Sequence, residues 1–361
     1  MVNRAAIWIF IIIFLSGCSL LPTNIVNEVG FIQGVGYDLT NDGGIEGTLV
    51  FPIYKKNNSS HTEVKSAFGH SSKEMRTKIN NETQHRLVSG QLRLAIYGTT
   101  LAENGINDYV DTINRDPSIG SIVQMAIVDG NSKELLNMEK YKNENISLYV
   151  QELLDQNMEL GQLPRTNLQT FLFQLFQIGQ DPYLPIIKNV NGSIRITGIG
   201  IFKYDKYITS IPMEDIYIFK TLVEKNRTNG MQEFMLKNGD RVVLETLYSN
   251  PEYKVKIVQG RPEFIINLKM KSKLQEFAPS EKQRQSFDKQ KYQKEIEQEL
   301  EKKAVHIITK LKEQQVDPLG LGAKYKEHFR AFNKKQWEMY YPDVKVSVNA
   351  NVEIKQTGTI D

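Results

Sequence analysis

Strict alternation of apolar and polar residues is the clearest pattern near the end of the chain. It predicts a strand with one face in the core, and its apolar positions are Val344, Val346, Val348, Ala350, Val352 and Ile354. Upstream, apolar residues recur every three or four positions over about 282–315, which predicts a long amphipathic helix. Asp317-Pro318 ends that helix, and a shorter helix leads to the strand.

The segments before the long helix alternate between apolar strands and turn residues. A hairpin is predicted over 194–202 and 207–211, with its turn at Asp205 and Lys206. A helix follows over 214–225, and strands are predicted at 241–248, 253–258 and 264–270. Because strands come first and helices follow, this half of the chain is expected to be α+β.

The first half mixes hairpins with a strand–helix–strand unit. A hairpin is predicted over 27–54, followed by a strand over 61–68 and a helix from Ser71 or Ser72 to Gln84. A strand, a helix and a strand are then predicted over 92–97, 102–114 and 122–128, which indicates a partly parallel sheet. The segment LQTFLFQLFQI at 168–178 is too apolar for an exposed helix, so we expect it to pack between layers.

A chain of 361 residues is too long for one ordinary core and suggests two or three domains. The first plausible boundary lies near Asn191-Gly192. We therefore expect an N-terminal α/β region over 18–190, with room for two subdomains, and a C-terminal α+β domain over 191–361. The predicted fold class is mixed α/β and multi-domain, with antiparallel-rich sheets and a long amphipathic helix in the C-terminal part.

An apolar run from Ala5 to Leu15 precedes Ser16, Gly17 and Cys18, which is the only cysteine of the chain. The run is about half of the roughly 20 residues that span a bilayer, and it has the form of an export signal. Leu15-Ser16-Gly17-Cys18 also has the form of a bacterial lipobox, so we expect a signal peptide over 1–17 and lipid attachment at Cys18. The alternative is a buried core thiol.

The net charge and the sequence motifs narrow the range of possible functions further. Removing residues 1–17 deletes one basic residue, Arg4, and lowers the net charge from +3 to +2, which argues against a nucleic-acid-binding protein. The five histidines form no zinc pattern, and the chain has no G-x-S-x-G nucleophile motif. The two G-x-G pairs lie in predicted strands rather than before helices, which argues against a nucleotide site. We therefore predict no catalytic residue, no metal site and no cofactor.

Three aromatic residues, Trp337, Tyr340 and Tyr341, cluster just before the last strand. Two interpretations are open for this cluster. It could form a partner-binding surface, since aromatic residues dominate binding hot spots, or it could cover one face of a sheet.

The chain resembles the Ger(x)C family of spore germination lipoproteins over almost all of its length. The resemblance is carried by LSGC, by VGFIQGVGYDL and by RLVSGQLRLAIYGTTLAENGINDYVDTINRDPSIG, which come in that order. It continues in ITGIGIFKYDKYI, DPLGLGAKYKEHF and WEMYYPDVKVSVNANVEIKQTGTI. One departure is that Ser19-Leu20 follows Cys18, where the family usually has Trp-Asp.

This resemblance implies a non-enzymatic C subunit of a spore germinant receptor with three mixed α/β domains. Such a subunit is lipid-anchored on the outer face of the spore inner membrane. It works beside two integral membrane subunits, an A-type subunit and a transporter-like B-type subunit. The main alternative is a solute-binding lipoprotein of a membrane transporter, although such proteins have two lobes of repeated βα units, whereas strand follows strand here. An anchored hydrolase is a third alternative and lacks a recognisable nucleophile or acid–base pair.

Overall fold

Two mixed sheets carry the fold in the computed structural model, which describes residues 29–54, 60–141, 144–225, 230–280, 287–329 and 332–355. The larger sheet has eight strands in the order β10-β9-β8-β7-β6-β2-β3-β4. These strands are β2 (Gly34–Leu39), β3 (Ile45–Tyr54), β4 (Ser60–Gly69), β6 (Leu94–Gly98), β7 (Gln124–Val128), β8 (Tyr183–Val190), β9 (Ser193–Lys203) and β10 (Lys206–Pro212). A short parallel pair, β1 (Val29–Phe31) with β5 (Arg86–Val88), forms a separate two-stranded sheet.

Helices cover both faces of the larger sheet. On one face the buried side chains come from α1 (Ser72–Asn80), α2 (Thr99–Asn104), α3 (Asn107–Arg115) and α6 (Leu168–Phe176). On the other face they come from α4 (Ser132–Leu136), α5 (Ile146–Glu159) and α7 (Ile216–Val223). The central strands β2, β6, β7 and β8 pair in parallel, and their burial on both sides is typical of parallel sheets.

The smaller sheet has the order β11-β12-β13-β14. Its strands are β11 (Gly230–Met235), β12 (Arg241–Val258), β13 (Arg261–Ala278) and β14 (Lys345–Lys355). The long helix α8 (Lys289–Glu313) packs on one face, and α9 (Leu321–His328) and α10 (Lys334–Tyr340) follow it. On the edge strand β14 the Glu301 and Glu297 side chains of α8 accept the backbone N–H groups of Ala350 and Val352. The helix therefore protects an edge that could otherwise pair with another chain.

Helix α7 links the two sheets. Its Phe219 ring packs edge-on against Tyr183 of β8, with ring centroids 5.3 Å apart. Its Tyr217 hydroxyl lies 2.6 Å from the Thr246 hydroxyl of β12. Side chains from both sheets consequently belong to one continuous hydrophobic core.

The predicted α+β class and antiparallel-rich sheets are confirmed, and most predicted elements appear close to their expected places. Several differ. The helix predicted over 102–114 is two helices broken at Gly105, whose φ of 120° is not helical. Helix α5 and strands β5, β8 and β11 had not been predicted. The strands expected at 241–248 and 253–258 are a single strand, β12, that contains Pro251. Proline is tolerated there because β11 pairs only with residues 241–246, so β12 is an edge strand at Pro251.

The domain boundary predicted near Asn191-Gly192 falls in the turn between β8 and β9. Both turn residues have positive φ, 52° and 77°, as two-residue hairpin turns require. The Asn-Gly pair thus connects two paired strands of one sheet. A domain boundary between residues 190 and 191 would separate β9 and β10 from the other strands of their sheet.

We expect Leu300→Ala to lower the free energy of unfolding by about 2–5 kcal/mol, because Leu300 is fully buried under the smaller sheet and its truncation leaves a cavity. Equilibrium urea unfolding measures the change. Lys302→Ala, on the exposed side of the same helix, is the matched control. An equal change in both variants would contradict the packing described for α8.

Candidate functional site

Three of the segments that carry the family resemblance meet at one place in the structure. Lys203 and Tyr204 come from the β9–β10 hairpin, Asp317 follows α8, and Trp337 lies in α10. Together with Asp181 they line a cleft of about 170 Å³ beside the loop that follows α6. We call the buried polar contacts beneath this cleft the carboxylate junction, formed by Asp181, Lys203 and Asp317.

Asp317 organises the start of α9. Its carboxylate accepts hydrogen bonds from the backbone N–H groups of Leu321 at 3.0 Å and Gly322 at 2.8 Å. These are first-turn N–H groups, which have no partner within the helix. Between Asp317 and Leu321 the chain turns at Gly320, where the φ of 68° favours glycine. Burial raises the pKa of Asp317 to about 7, although these two hydrogen bonds act in the opposite direction.

Asp181 connects this turn to the larger sheet. One carboxylate oxygen accepts both the Asp317 N–H, at 2.7 Å, and the Lys203 ammonium, at 3.0 Å. In return the Asp181 N–H donates to the Asp317 carbonyl at 2.9 Å. Asp181 and Asp317 are both buried, so water competes little for these hydrogen bonds. The carboxylate junction therefore joins β8 and β9 of the larger sheet to the helices of the C-terminal part.

Close backbone approach explains two glycines at the carboxylate junction. The Gly179 carbonyl accepts the N–H of Ala323 at 2.9 Å, and a side chain at Gly179 would collide with the Gly322 backbone. A side chain at Gly322 would collide with the indole of Trp337. The glycines of the DPLGLG segment thus allow α9 to pack directly on the loop after α6.

The structure decides between the two interpretations of the aromatic cluster for two of its members. Trp337 and Tyr341 are each only 4% exposed. Trp337 packs against Phe264 of β13 at 6.0 Å between ring centroids, and the Tyr341 hydroxyl donates to the Val316 carbonyl. They cover the smaller sheet and are not a free partner surface. Tyr340 alone is partly exposed, with the Arg261 guanidinium over its ring.

An exposed apolar strip lies beside the cleft instead, and it corrects the expectation that 168–178 packs between layers. Helix α6 buries Leu168 and Phe171, but Phe173 and Phe176 point to solvent and are 64% and 70% exposed. Ile178, in the following loop, is also exposed. We call Phe173, Phe176 and Ile178 the apolar strip. Exposed groups of large apolar side chains are typical of interaction sites.

Tyr204 borders the cleft and is held by charged groups. Its hydroxyl donates to Glu338 at 2.7 Å, and the Lys334 ammonium lies 4.5 Å from its ring centroid. Its own φ of 57° places it at the tight turn of the hairpin. Tyr204 is 44% exposed. Its ring extends the surface of the apolar strip, and its hydroxyl gives that surface a polar end.

The two carboxylates of the junction are held by hydrogen bonds within the protein. The oxygens of Asp317 and Asp181 are engaged by backbone N–H groups and Lys203, so neither carboxylate is aimed at the cleft as a free base. In the part of the chain that the structure describes, no three histidine, cysteine or acidic side chains are grouped to hold a metal ion. None of the described helices is both long and apolar enough to cross a bilayer. The predicted lipobox, Leu15, Ser16, Gly17 and Cys18, lies outside the described residues.

Sequence profiles of two domains match nearly the whole chain. A spore germination protein N-terminal domain matches residues 22–189, and a spore germination B3/GerAC-like C-terminal domain matches residues 197–358. The chain belongs to the Ger(x)C family of spore germination proteins. The resemblance that the motifs indicated is thereby confirmed.

Individual Ger(x)C relatives agree with this assignment. The chain is 29% identical over 361 residues to spore germination protein GerQC of Bacillus cereus, covering 99% of this chain and all of the relative. It is 20% identical to spore germination protein KC of Bacillus subtilis, with 98% and 95% of the two chains covered. The crystal structure of the GerBC protein has a TM-score of 0.56 at 17% identity, over 91% of this chain and 99% of that one. It shows the same fold.

No pattern in the sequence indicated the carboxylate junction as a contact between distant segments. Asp317-Pro318 predicted only the end of a helix, and Asp181-Pro182 indicated only the approach to a domain boundary. The signal that could have indicated more is the spacing of Asp317 from Gly320 and Gly322, which suits a carboxylate that caps the next helix.

We expect Asp317→Asn to lower the free energy of unfolding by about 1–3 kcal/mol, because an amide has one acceptor oxygen for two buried N–H groups. The difference in the free energy of unfolding between wild type and variant should depend on pH. A folded-state pKa raised above the usual aspartate value means that protonation stabilises the folded state, and this contribution is lost as pH rises from about 4 to about 7. The wild type should therefore lose stability relative to Asp317→Asn between about pH 4 and about pH 7.

Chemical unfolding at each pH measures both effects, with Asp343→Asn as an exposed control. A difference between wild type and Asp317→Asn that stays constant with pH would contradict the raised pKa. A difference near zero at every pH would contradict the capping role.

Proposed function

We propose that this chain is the lipid-anchored, non-enzymatic C subunit of a spore germinant receptor, required for nutrient-triggered germination. The observation that carries the proposal is what the segments with the family resemblance form in the structure. They build a buried carboxylate junction and a neighbouring apolar strip rather than a set of catalytic groups. Such an arrangement suits a rigid subunit that binds partners. The names of the relatives, all spore germination proteins, support the same role.

Attachment at Cys18 would hold the protein on the outer face of the spore inner membrane. Diacylation of the thiol buries two acyl chains at about 0.8 kcal/mol per CH₂, and two chains anchor a protein durably where one does not. The first described residue, Val29, is the eleventh after Cys18, so ten residues lie between the proposed anchor and the part of the chain that the structure describes. The fold would then stay close to the membrane surface.

The proposed partners are two integral membrane subunits, an A-type subunit and a transporter-like B-type subunit. The apolar strip is the surface that we assign to one of these contacts. Aromatic side chains contribute most to binding where water is excluded around them. Phe173 and Phe176 stand one helical turn apart on a helix whose other side is fixed in the core, so they are presented rigidly.

Replacement of Cys18 by alanine tests the anchor. We expect Cys18→Ala spores to lose the protein from the inner-membrane fraction and to germinate poorly with every nutrient that uses this receptor, because the lipid is the proposed attachment. Immunoblots of spore fractions and germination assays measure the two outcomes, and Ser19→Ala is the control. Normal membrane retention together with normal germination would contradict the anchor.

Replacement of the two exposed phenylalanines tests the partner surface. We expect the double variant Phe173→Asp, Phe176→Asp to stay folded but to reduce co-purification of the membrane subunits about tenfold or more, because charges would be buried at the contact. Phe68→Asp, at an exposed position on β4, is the matched control. Unchanged co-purification of the double variant would remove the apolar strip from the contact without affecting the anchor.

A further inference from the structure

A second, separate cavity opens between α1, α3 and the larger sheet. Its volume is about 380 Å³, within the range of small-molecule sites. It lies on the face of the sheet opposite to α7 and shares no lining residue with the carboxylate junction. The relevant lining side chains are Val35, Leu49, Leu92, Ile113, Lys73 and Arg76.

The inner part of this cavity is apolar. Val35 of β2, Leu49 of β3, Leu92 before β6 and Ile113 of α3 all belong to the same buried core and form its floor. These side chains are already fixed by packing against α1 and α3, so the floor is formed in advance. A preformed apolar floor of this size suits the hydrocarbon or aromatic part of a small ligand.

The acidic groups at the mouth of the cavity are already engaged. Asp111 pairs with Arg115 at 2.6 Å, one helical turn away. Asp116 accepts the backbone N–H of Ser118 at 3.0 Å and its hydroxyl at 2.6 Å. Each carboxylate therefore already has a partner among the described residues.

The basic groups are less fully used. Arg76 donates one hydrogen bond to Ser89 at 3.0 Å and forms an ion pair with Asp116 at 3.9 Å, a distance too long for a hydrogen bond. Its guanidinium has five N–H donors, so most of them face no described acceptor. Lys73, one turn earlier on the same side of α1, is exposed and has no ion pair with any residue that the structure describes. The mouth therefore offers spare donors and positive charge over an apolar floor.

We propose that this cavity binds a small amphiphilic carboxylate. The carboxylate lies against the Arg76 guanidinium, whose planar fork matches two carboxylate oxygens, and Lys73 adds charge attraction. The apolar body of the ligand lies on the floor beside Leu49, Leu92 and Ile113. Ser72 and Lys73 belong to the first turn of the nine-residue helix α1, whose dipole also favours an anion there.

Phenylacetate is a probe with both required parts, and phenylacetamide and acetate each lack one of them. The test uses the full chain carrying Cys18→Ala, so that no lipid is attached, and follows binding by calorimetry and by the rise in Tm. We expect saturable binding of phenylacetate and at least about tenfold weaker binding of both other compounds, since the acid alone uses the guanidinium and the floor together.

Variants locate the site. Arg76→Gln should weaken phenylacetate binding about tenfold or more, and Lys73→Gln should weaken it a few-fold. Lys73 makes no described contact that could disturb folding, so this variant stays informative if Arg76→Gln proves unstable. Arg195→Gln, at an exposed arginine of β9 outside the cavity, should leave binding unchanged.

Three outcomes would overturn the proposal. Equal binding of phenylacetate and phenylacetamide would show an apolar pocket with no role for charge. Equal loss in Arg195→Gln and Lys73→Gln would show non-specific attraction of an anion to a basic surface. Absence of saturable binding for phenylacetate up to its solubility limit would show that the cavity does not take this class of ligand.

Discussion

The reciprocal hydrogen bonds between Asp181 and Asp317 are the constraint on which the arrangement of the two sheets depends. The Asp317 N–H donates to the Asp181 carboxylate, and the Asp181 N–H donates to the Asp317 carbonyl. The Asp181 carboxylate also accepts a hydrogen bond from Lys203 at the end of β9. Two carboxylates this deeply buried are costly unless every oxygen finds a donor. Here the donors are backbone N–H groups at the start of α9 and the Lys203 ammonium, so the position of that helix is fixed relative to the larger sheet.

This fixed arrangement places the apolar strip beside the ordered cleft. The loop from Phe176 to Asp181 starts at α6, carries Ile178 outward and ends in the carboxylate junction. Its path is further restricted by Gly179, which lies directly against Gly322. A change that loosens the junction is therefore expected to affect the proposed partner contact at the apolar strip through this loop. Because the cavity between α1 and α3 lies on another part of the larger sheet, the two surfaces could act independently.

Local sequence patterns were sufficient to predict most helices and strands, but they were insufficient to predict the contacts that join these elements. Alternation in 344–354 and the three–four spacing in α8 each follow from one buried face, so both could be predicted. In α6 the same reasoning failed: apolar residues on both sides indicated burial, whereas Phe173 and Phe176 face solvent. Trp337 and Tyr341 could not be placed, because their burial depends on Phe264 and Val316, which lie 73 and 25 residues earlier. Long-range polar contacts such as Asp181 with Asp317 have no periodic signal at all.

Native-state hydrogen exchange of the amides of Asp317, Leu321 and Gly322 tests the central claim most directly. These three N–H groups donate to the two carboxylates of the junction. If the junction holds the two sheets together, they exchange only when the whole fold opens, as slowly as the amides of the buried strand β6. Exchange of all three while the β6 amides remain protected would show that the junction opens locally, and it would contradict the account.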